Sequence, residues 1–284
     1  MLSLRGAFKT GARKDVKRRS SRLWPMSDFV RIDDREAVRW LTLSAPSTKN
    51  AVPPDGWDEL ALAFRGFEES EQRALVVRGA GDDFCAGADL SEGFGSFDSA
   101  AVNAAIMRRP NAAATALHRL SKPVVAAVDG VAVGAGMNLA LGCDVVIATD
   151  RARFAEIFVR RGLTLDFGGT WLLPRIVGLA RAREIALTGR VVPADEALAI
   201  GMVARVVAAE DLDEVVGTVA ADLAAGAPLA QRFIKVALDR SSSMTFEQAL
   251  AYEEQAQAIL LGSQDLVEGT AAFFEKRPPR FEGR

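Results

Sequence analysis

Apolar residues fall into short β-branched runs in the first two thirds of the chain and into helical spacing in the last third. Residues 124–128 and 145–148 each form such a run, which predicts a buried strand. Between them, residues 134–136 read Gly-Ala-Gly and open a small-residue stretch with helical spacing that reaches Leu141. The pattern therefore predicts a unit of strand, glycine turn, helix and strand.

The order of predicted elements indicates the fold class. Strands and helices alternate up to a strand at 203–207, and only helices follow, at 212–225, 228–239, 246–261 and 266–276. At the start, residues 29–43 predict two strands joined by a hairpin turn at 33–36. We therefore expect an α/β core over residues 26–225 and a helical module over residues 226–284.

Composition narrows the class of protein. The chain has 284 residues, of which 49% are hydrophobic and 25% charged, with a formal net charge of −2. This suits one large α/β domain with an ample core. No apolar run is long enough to predict a transmembrane helix, so no membrane association is expected. The two cysteines, Cys85 and Cys143, cannot form a disulfide framework, which predicts a reduced, cytoplasmic setting.

The first 25 residues differ in charge from the rest of the chain. They hold eight arginines and lysines against one acid, Asp15. We interpret residues 1–25 as a disordered basic extension ahead of a natural start at Met26. The alternative is a transit peptide for the mitochondrial matrix. Because the remainder of the chain is acidic, the pattern argues against a nucleic-acid partner.

The glycine turn at 134–136 is the candidate chemical feature. The first N–H groups of a helix have no partner inside the helix, and the helix dipole adds positive character there. Such a turn can hold an anion, or an oxygen that becomes an anion during a reaction. A dinucleotide fingerprint fits poorly because Leu139 occupies its third glycine position. A serine-histidine triad fits poorly as well, since the chain lacks G-x-S-x-G and its single histidine, His118, suits a structural or surface place.

Several motifs together resemble the crotonase superfamily of enoyl-CoA hydratases and isomerases. They are residues 84–90 (Phe-Cys-Ala-Gly-Ala-Asp-Leu), the turn at 134–136, Cys143-Asp144, and the stretch from Gly162-Leu163 to Gly169-Thr170. The resemblance runs from about residue 26 to residue 281. It implies a spiral of ββα turns with a C-terminal helical part that assembles trimers or dimers of trimers. It also implies an acyl-CoA thioester substrate, with no metal and no cofactor, because coenzyme A is part of the substrate.

The resemblance also assigns residues. Ala88 and Ala135 would donate backbone N–H groups to the thioester oxygen as it becomes an enolate, so alanine suffices at both positions. The residues expected to line the acyl-CoA site are Lys49, Ala51, Ala86, Gly87, Asp89, Leu90, Gly134, Gly136, Asn138, Phe158 and Phe167.

The chain departs from the family's hydratases at two positions. Those enzymes carry glutamates where this chain has Asn138 and Phe158. Glu156 lies nearby, but it would match only with a two-residue slip, and we interpret it as structural. Asp166 matches an aspartate found in several isomerase branches, and it could also cap the helix that begins near Gly168.

One acid favours isomerisation over hydration. Moving a double bond needs a single base, which takes a proton from one carbon and returns it to another. Hydration divides naturally between two carboxylates. We therefore expect an enoyl-CoA isomerase with Asp166 as the base. A hydratase with a non-standard acid/base set, and a catalytically silent acyl-CoA-binding or scaffold protein, remain alternatives.

Overall fold

The computed structural model describes residues 29–91 and 99–284. The strands are β1 (Val30–Arg35), β2 (Val38–Leu43), β3 (Ala74–Gly79), β4 (Val124–Val128), β5 (Val131–Val133), β6 (Val145–Thr149), β7 (Arg153–Ala155), β8 (Val191–Pro193) and β9 (Arg205–Val207). The α-helices are α1 (Gly56–Glu68), α2 (Ala100–His118), α3 (Ala135–Leu141), α4 (Gly169–Val177), α5 (Leu179–Thr188), α6 (Ala194–Ala199), α7 (Leu212–Ala225), α8 (Pro228–Ser241), α9 (Phe246–Leu260) and α10 (Gln264–Glu275). Short 3-10 turns span Pro46–Thr48, Ile157–Arg161 and Ala209–Asp211.

The strands form two sheets. The larger has the order β1-β2-β3-β4-β6-β9, and its strands run parallel except for the antiparallel β1–β2 hairpin. The smaller has the order β5-β7-β8, with β5 parallel and β8 antiparallel to β7. β4 is buried along its whole length, as expected for a central parallel strand covered on both faces.

Alternate side chains of the larger sheet serve two separate apolar layers. Trp40, Val76 and Val125 lie on the face covered by α7, where they pack with Val216 and Ala220. Their strand neighbours point the other way, into the main core with α1, α2 and the smaller sheet; they include Leu41, Leu75, Val77, Val124 and Ala126. The period of two along each strand therefore fills both layers.

The hairpin turn lies later than the sequence predicts. Asp33 and Asp34 belong to β1, and the chain turns at Glu36 and Ala37, where Glu36 adopts a positive φ of 52°. The turn prediction at 33–36 was wrong because β1 is an edge strand whose outer residues face water. The polar side chains there remain solvated, and Asp34 also receives a bond of 2.6 Å from the Arg39 guanidinium.

The predicted unit of strand, glycine turn, helix and strand is confirmed as β4, α3 and β6. Between β4 and the glycine turn lies a further short strand, β5, which pairs with β7. As a result, the smaller sheet delivers the chain directly to Gly134 and the start of α3. The Asp144 carboxylate closes the unit by accepting from the Val124 N–H at 2.7 Å.

The C-terminal helices, α8 to α10, follow the α/β core as predicted. Lys235 on α8 bonds the Asp144 carboxylate at 2.7 Å, and Arg73 donates to the Phe281 carbonyl at 2.9 Å. Phe246, Phe273 and Phe274 are 74%, 78% and 77% exposed in the single chain. In the described parts of the chain, no helix is both long and apolar enough to cross a membrane. The basic segment of residues 1–25 lies outside the described residues.

Candidate active site

The start of α3 presents a free backbone N–H. Gly134 precedes the helix at φ 57° and ψ −127°, and its own N–H donates to the Ala155 carbonyl at 2.8 Å. Ala135 is the first residue of the helix, so its N–H has no intrahelical acceptor. No other acceptor for it lies within residues 29–91 and 99–284. The predicted donor at Ala135 is therefore available to a ligand.

The second predicted donor lies on the segment after Phe84. Val52 donates to the Gly87 carbonyl at 2.7 Å, and Asp89 donates to the Val52 carbonyl at 2.9 Å. This is a parallel bridge between Val52 and Ala88. The bridge uses the groups on either side of Ala88, and the Ala88 N–H bonds no acceptor in the described chain. It faces away from Val52, as alternate N–H groups along a strand do.

Glycines bring the two donor segments together. Gly87 has φ 91°, and a Cβ there would lie 2.9 Å from the Val133 carbonyl oxygen and 3.6 Å from the Ala135 nitrogen. A Cβ on Gly136 would lie 2.2 Å from the Cys85 carbonyl oxygen. Only glycine tolerates both the positive φ and this close backbone approach. Gly87 and Gly136 thus allow the Ala88 and Ala135 segments to meet.

The loop at 49–51 supports the Ala88 segment. The Lys49 carbonyl accepts from the Ala86 N–H at 2.9 Å. Asn50 is fully buried, and its side chain bonds the Ala45 N–H and the carbonyls of Ala80 and Asp83. The sequence did not single out this anchoring role for Asn50. Ala51 is buried beside it.

The polar groups expected at the acyl-CoA site differ in exposure. The Lys49 side chain is 58% exposed and its ammonium lies 3.6 Å from Asp83. Leu90 is exposed as well. The Asp89 carboxylate accepts from the Ser91 N–H at 2.9 Å, so it shapes its own loop. The roles of these residues toward a substrate stay predictions.

A buried polar cluster lies one helical turn from Ala135. It consists of Asn138 on α3, Glu156 just after β7, and Asp166 in the segment that leads to α4. The Asn138 amide nitrogen donates to the Asp166 carbonyl oxygen at 3.0 Å and approaches Glu156 Oε2 at 3.5 Å. Asn138 and Glu156 are fully buried. One turn of α-helix is about 5 Å, so the cluster lies close to the Ala135 donor.

Both carboxyl groups of this cluster have raised pKa values. Burial raises the pKa of Asp166 from 3.8 to about 6. Burial, and then the charge of Asp166, raise the pKa of Glu156 from 4.5 to about 8, against the opposing effect of the Asn138 amide. At neutral pH Asp166 is therefore ionised and Glu156 is protonated. An ionised carboxyl with a pKa near neutrality is suited to act as a general base.

Two buried aromatic residues are close in sequence to members of this cluster. Phe158 is buried, and its ring would lie 3.5 Å from a Cβ on Gly134. Phe167 follows Asp166, is almost fully buried, and holds a positive φ of 48°. Its ring lies 5.6 Å from the ring of Trp57 on α1. Burial of the carboxyl is what raises the Asp166 pKa.

Glu156 lies inside this cluster. From the sequence we interpret it as a structural residue near the site, and the structure buries it against Asn138 and beside Asp166. Its role in the chemistry stays a prediction. The strand period does not extend to it, because β7 ends at Ala155.

Other candidate chemistry is not assembled in the described chain. Within residues 29–91 and 99–284, no group of three or more histidine, cysteine, aspartate or glutamate side chains could hold a metal ion. His118 ends α2 and packs edge-on against Trp171, with ring centroids 5.2 Å apart.

The structure is an α/β fold in which two closely packed segments each carry a backbone N–H without an acceptor in the described chain. The model of the enoyl-CoA hydratase/isomerase family matches residues 33–284. The chain belongs to this family, within the crotonase superfamily, and its fold is the crotonase-like α/β fold with C-terminal helices.

Individual relatives agree with this assignment. A probable enoyl-CoA hydratase of Rhodobacter capsulatus is 38% identical over 90% of this chain and 98% of that protein. A 1,2-epoxyphenylacetyl-CoA isomerase of Escherichia coli is 37% identical over 91% of this chain and all of that protein. The crystal structure of a putative enoyl-CoA hydratase from Streptomyces coelicolor matches with a TM-score of 0.87 at 33% identity, covering 95% of this chain and 100% of that one.

Proposed function

We propose that this acyl-CoA enzyme shifts a double bond in an enoyl-CoA, with Asp166 as the base. The observation that carries the proposal is the place of Asp166. Its carboxyl is desolvated, has a pKa of about 6, and belongs to a cluster one helical turn from the Ala135 N–H. The name of the Escherichia coli relative, an isomerase, is consistent with the proposal, although other relatives are named hydratases.

The proposed reaction passes through an enolate. The Asp166 carboxylate takes a proton from the α-carbon of a 3-enoyl-CoA, and the C–H electrons move into the thioester carbonyl. The resulting enolate oxygen accepts hydrogen bonds from the N–H groups of Ala88 and Ala135. The Asp166 carboxylic acid then returns the proton to the γ-carbon, and the double bond ends between the α- and β-carbons. The sequence is reversible and consumes no water.

The surroundings of Asp166 suit this reaction. Phe158 stands where the family's hydratases carry a glutamate, and Phe167, which follows Asp166 in the chain, is buried. A phenyl ring at position 158 supplies no second acid/base group there to divide the work of hydration. Coenzyme A enters as part of the substrate, and the proposal needs no other cofactor.

A panel of substrates tests this function. The protein is incubated with 2-enoyl-, 3-enoyl- and dienoyl-CoA esters, and products are identified by mass and by double-bond position. We expect products of unchanged mass with a moved double bond. A product heavier by one water would contradict isomerisation.

A second candidate function is hydration by a non-standard pair. The observation that favours it is the position of Glu156 beside Asp166, which restores two carboxyl groups to the site. A protonated Glu156 could serve as the acid while Asp166 orients water. The same panel decides between them, because hydration of a 2-enoyl-CoA adds the mass of water. If every ester binds and none reacts, the silent binding or scaffold function is favoured instead.

We also propose that the chain assembles as a homotrimer or a dimer of trimers through its C-terminal helices. Phe246, Phe273 and Phe274 lie on these helices and are exposed within one chain. Exposed aromatic residues concentrated in one module are typical of subunit interfaces. Light scattering at micromolar concentration tests this; a monomer would contradict it.

A further inference from the structure

The polar cluster has more acceptors than donors. Three of its buried oxygens have no hydrogen-bond partner among the described residues: Asn138 Oδ1, Glu156 Oε1 and Asp166 Oδ1. Burying a polar atom without a hydrogen-bond partner destabilises the folded state. Three such oxygens in one cluster indicate that the cluster contains a further hydrogen-bond donor. A proton on one of its carboxyl groups is the simplest such donor.

Neighbouring backbone packs closely against two members of the cluster, Asn138 and Glu156. A Cβ on Gly169, the first residue of α4, would lie 2.4 Å from the Asn138 amide nitrogen. The same amide is bound to the Asp166 carbonyl oxygen. The carbonyl of Glu156 would lie 3.2 Å from a Cβ on Gly189, so its backbone is confined by the turn after α5.

We propose that Glu156 is a positioning residue for Asp166: its carboxyl carries a proton on Oε1 and donates it to Asp166 Oδ1, so that the single negative charge of the pair lies on Asp166. This inference deepens the proposed function and rests on it. Glu156 takes no part in the proton transfer itself. Its proton supplies the missing donor and fixes the orientation of the base.

The charged groups around Glu156 agree with this assignment. Asp166 acts on Glu156 and disfavours its ionisation. The cations nearest in sequence, Arg160 and Arg161, are exposed, and Arg160 donates to the Thr188 carbonyl. Arg190, next to Gly189, pairs with Glu184 and Glu196. Among residues 29–91 and 99–284, no cation pairs with Glu156 to favour its charged form. Burial and the Asp166 charge raise its pKa to about 8.

The proposal predicts a pH-dependent loss of activity. When Glu156 loses its proton, two negative charges share one buried cluster beside the developing enolate. The second charge disfavours the enolate, so the rate falls. We expect kcat to rise as Asp166 ionises near pH 6 and to fall as Glu156 ionises near pH 8. Because the two carboxyl groups interact, the two apparent pKa values of this profile belong to the pair.

Two substitutions of Glu156 and one control form the kinetic test. Glu156→Gln keeps the shape and a donor but cannot ionise, so kcat at pH 7 stays within about threefold of wild type and the alkaline fall disappears. Glu156→Ala removes the donor, so kcat falls about 10- to 100-fold while KM changes little, as expected for a misplaced base. Glu59→Gln changes a buried acid that bonds the Val30 N–H away from the site, and it should keep the wild-type profile.

An infrared measurement tests the proton without relying on turnover. A difference spectrum between wild type and Glu156→Gln at pH 7 should contain the C=O band of a protonated carboxyl, and that band should vanish above about pH 8. Its absence at pH 7 would overturn the proposal. So would an alkaline limb unchanged in Glu156→Gln, or a kcat as low there as in Asp166→Asn.

Failure of the proposed function gives a different pattern. If Asp166→Asn retained wild-type turnover, or if wild type only hydrated its substrates, the base assignment would fail while the infrared band still reported on Glu156. If the infrared band of the protonated Glu156 carboxyl were present but wild-type kcat did not fall near pH 8, the positioning role of Glu156 would be overturned. The assignment of Asp166 as the base would stand.

Discussion

The candidate site has two halves: one consists of backbone N–H donors and the other of polar side chains. The Ala88 and Ala135 donors are backbone groups, placed by glycines that allow two segments to touch. The cluster of Asn138, Glu156 and Asp166 is built from side chains and contains three unpartnered buried oxygens. In the first half, the backbone groups beside the donors are hydrogen-bonded, and the N–H groups of Ala88 and Ala135 have no acceptor in the described chain. In the second half, burial raises the pKa of Asp166 and of Glu156, and the charge of Asp166 raises the pKa of Glu156 further. Asp166 is the carboxyl that we propose as the base.

This difference indicates how each half should respond to substitution. Alanine side chains contribute nothing to the donor half, so only changes that remove an N–H or displace the backbone should matter there. In the cluster, each side chain sets the charge of its neighbours. Conservative changes that alter charge should therefore have the largest effects.

Asp166→Asn is expected to have the largest effect on turnover. It keeps size and shape but removes the proton acceptor, so kcat for isomerisation should fall about 10²- to 10⁴-fold. Binding of the CoA ester should survive, because the donor half is untouched, and a dissociation constant measured by titration checks this. Turnover within threefold of wild type would break the assignment.

Ala135→Pro tests the donor half. Proline is tolerated at the first position of a helix but has no N–H, and its ring occupies the place of the missing hydrogen. Losing one oxyanion donor costs about 3–4 kcal/mol, so kcat should fall by roughly 10²- to 10³-fold. The matched control is Ala100→Pro, at the first position of α2, which should change kcat little. Equal losses in both variants would count against the donor role.

Much of this architecture follows from local sequence, and the exceptions have physical causes. The run at 124–128, the turn at 134–136 and the helix at 212–225 were predicted because they obey simple periods. The burial of Glu156 beside Asn138 could not be predicted, because the chain leaves β7 at Ala155 and enters a 3-10 turn, which buries both Glu156 and Phe158. Sequence spacing aligns Phe158, and not Glu156, with the family's glutamate.

Gly136→Ala tests whether close backbone approach holds the donors in place. The new Cβ would lie 2.2 Å from the Cys85 carbonyl oxygen, so the segments must separate. We expect the free energy of unfolding to fall by about 1–3 kcal/mol, with reduced kcat. Gly66→Ala, on an exposed face of α1 with open space around it, should instead raise stability by about 0.5–1 kcal/mol. Denaturant titration of both variants measures the contrast, and equal shifts would contradict it.

The pH dependence of the free energy of unfolding tests the burial of Glu156 in the cluster. A buried acid with a raised pKa contributes stability that is fully present below its unfolded pKa and is lost as the pH rises through its folded value. For Glu156 that window runs from about 4.5 to about 8. The free energy of unfolding should therefore decline less over this window in Glu156→Gln than in wild type. If the free energy of unfolding depended on pH in the same way in wild type and in Glu156→Gln, the raised pKa of Glu156 would be contradicted.

The most direct test of the central claim follows one proton. A 3-enoyl-CoA carrying deuterium at the α-carbon is converted in ordinary water, and the label is located in the product. If Asp166 carries the proton between carbons, part of the deuterium should appear at the γ-carbon, and both transfer and α-exchange should collapse in Asp166→Asn. Full transfer and exchange in Asp166→Asn, with collapse in Glu156→Gln, would contradict the account and make Glu156 the base.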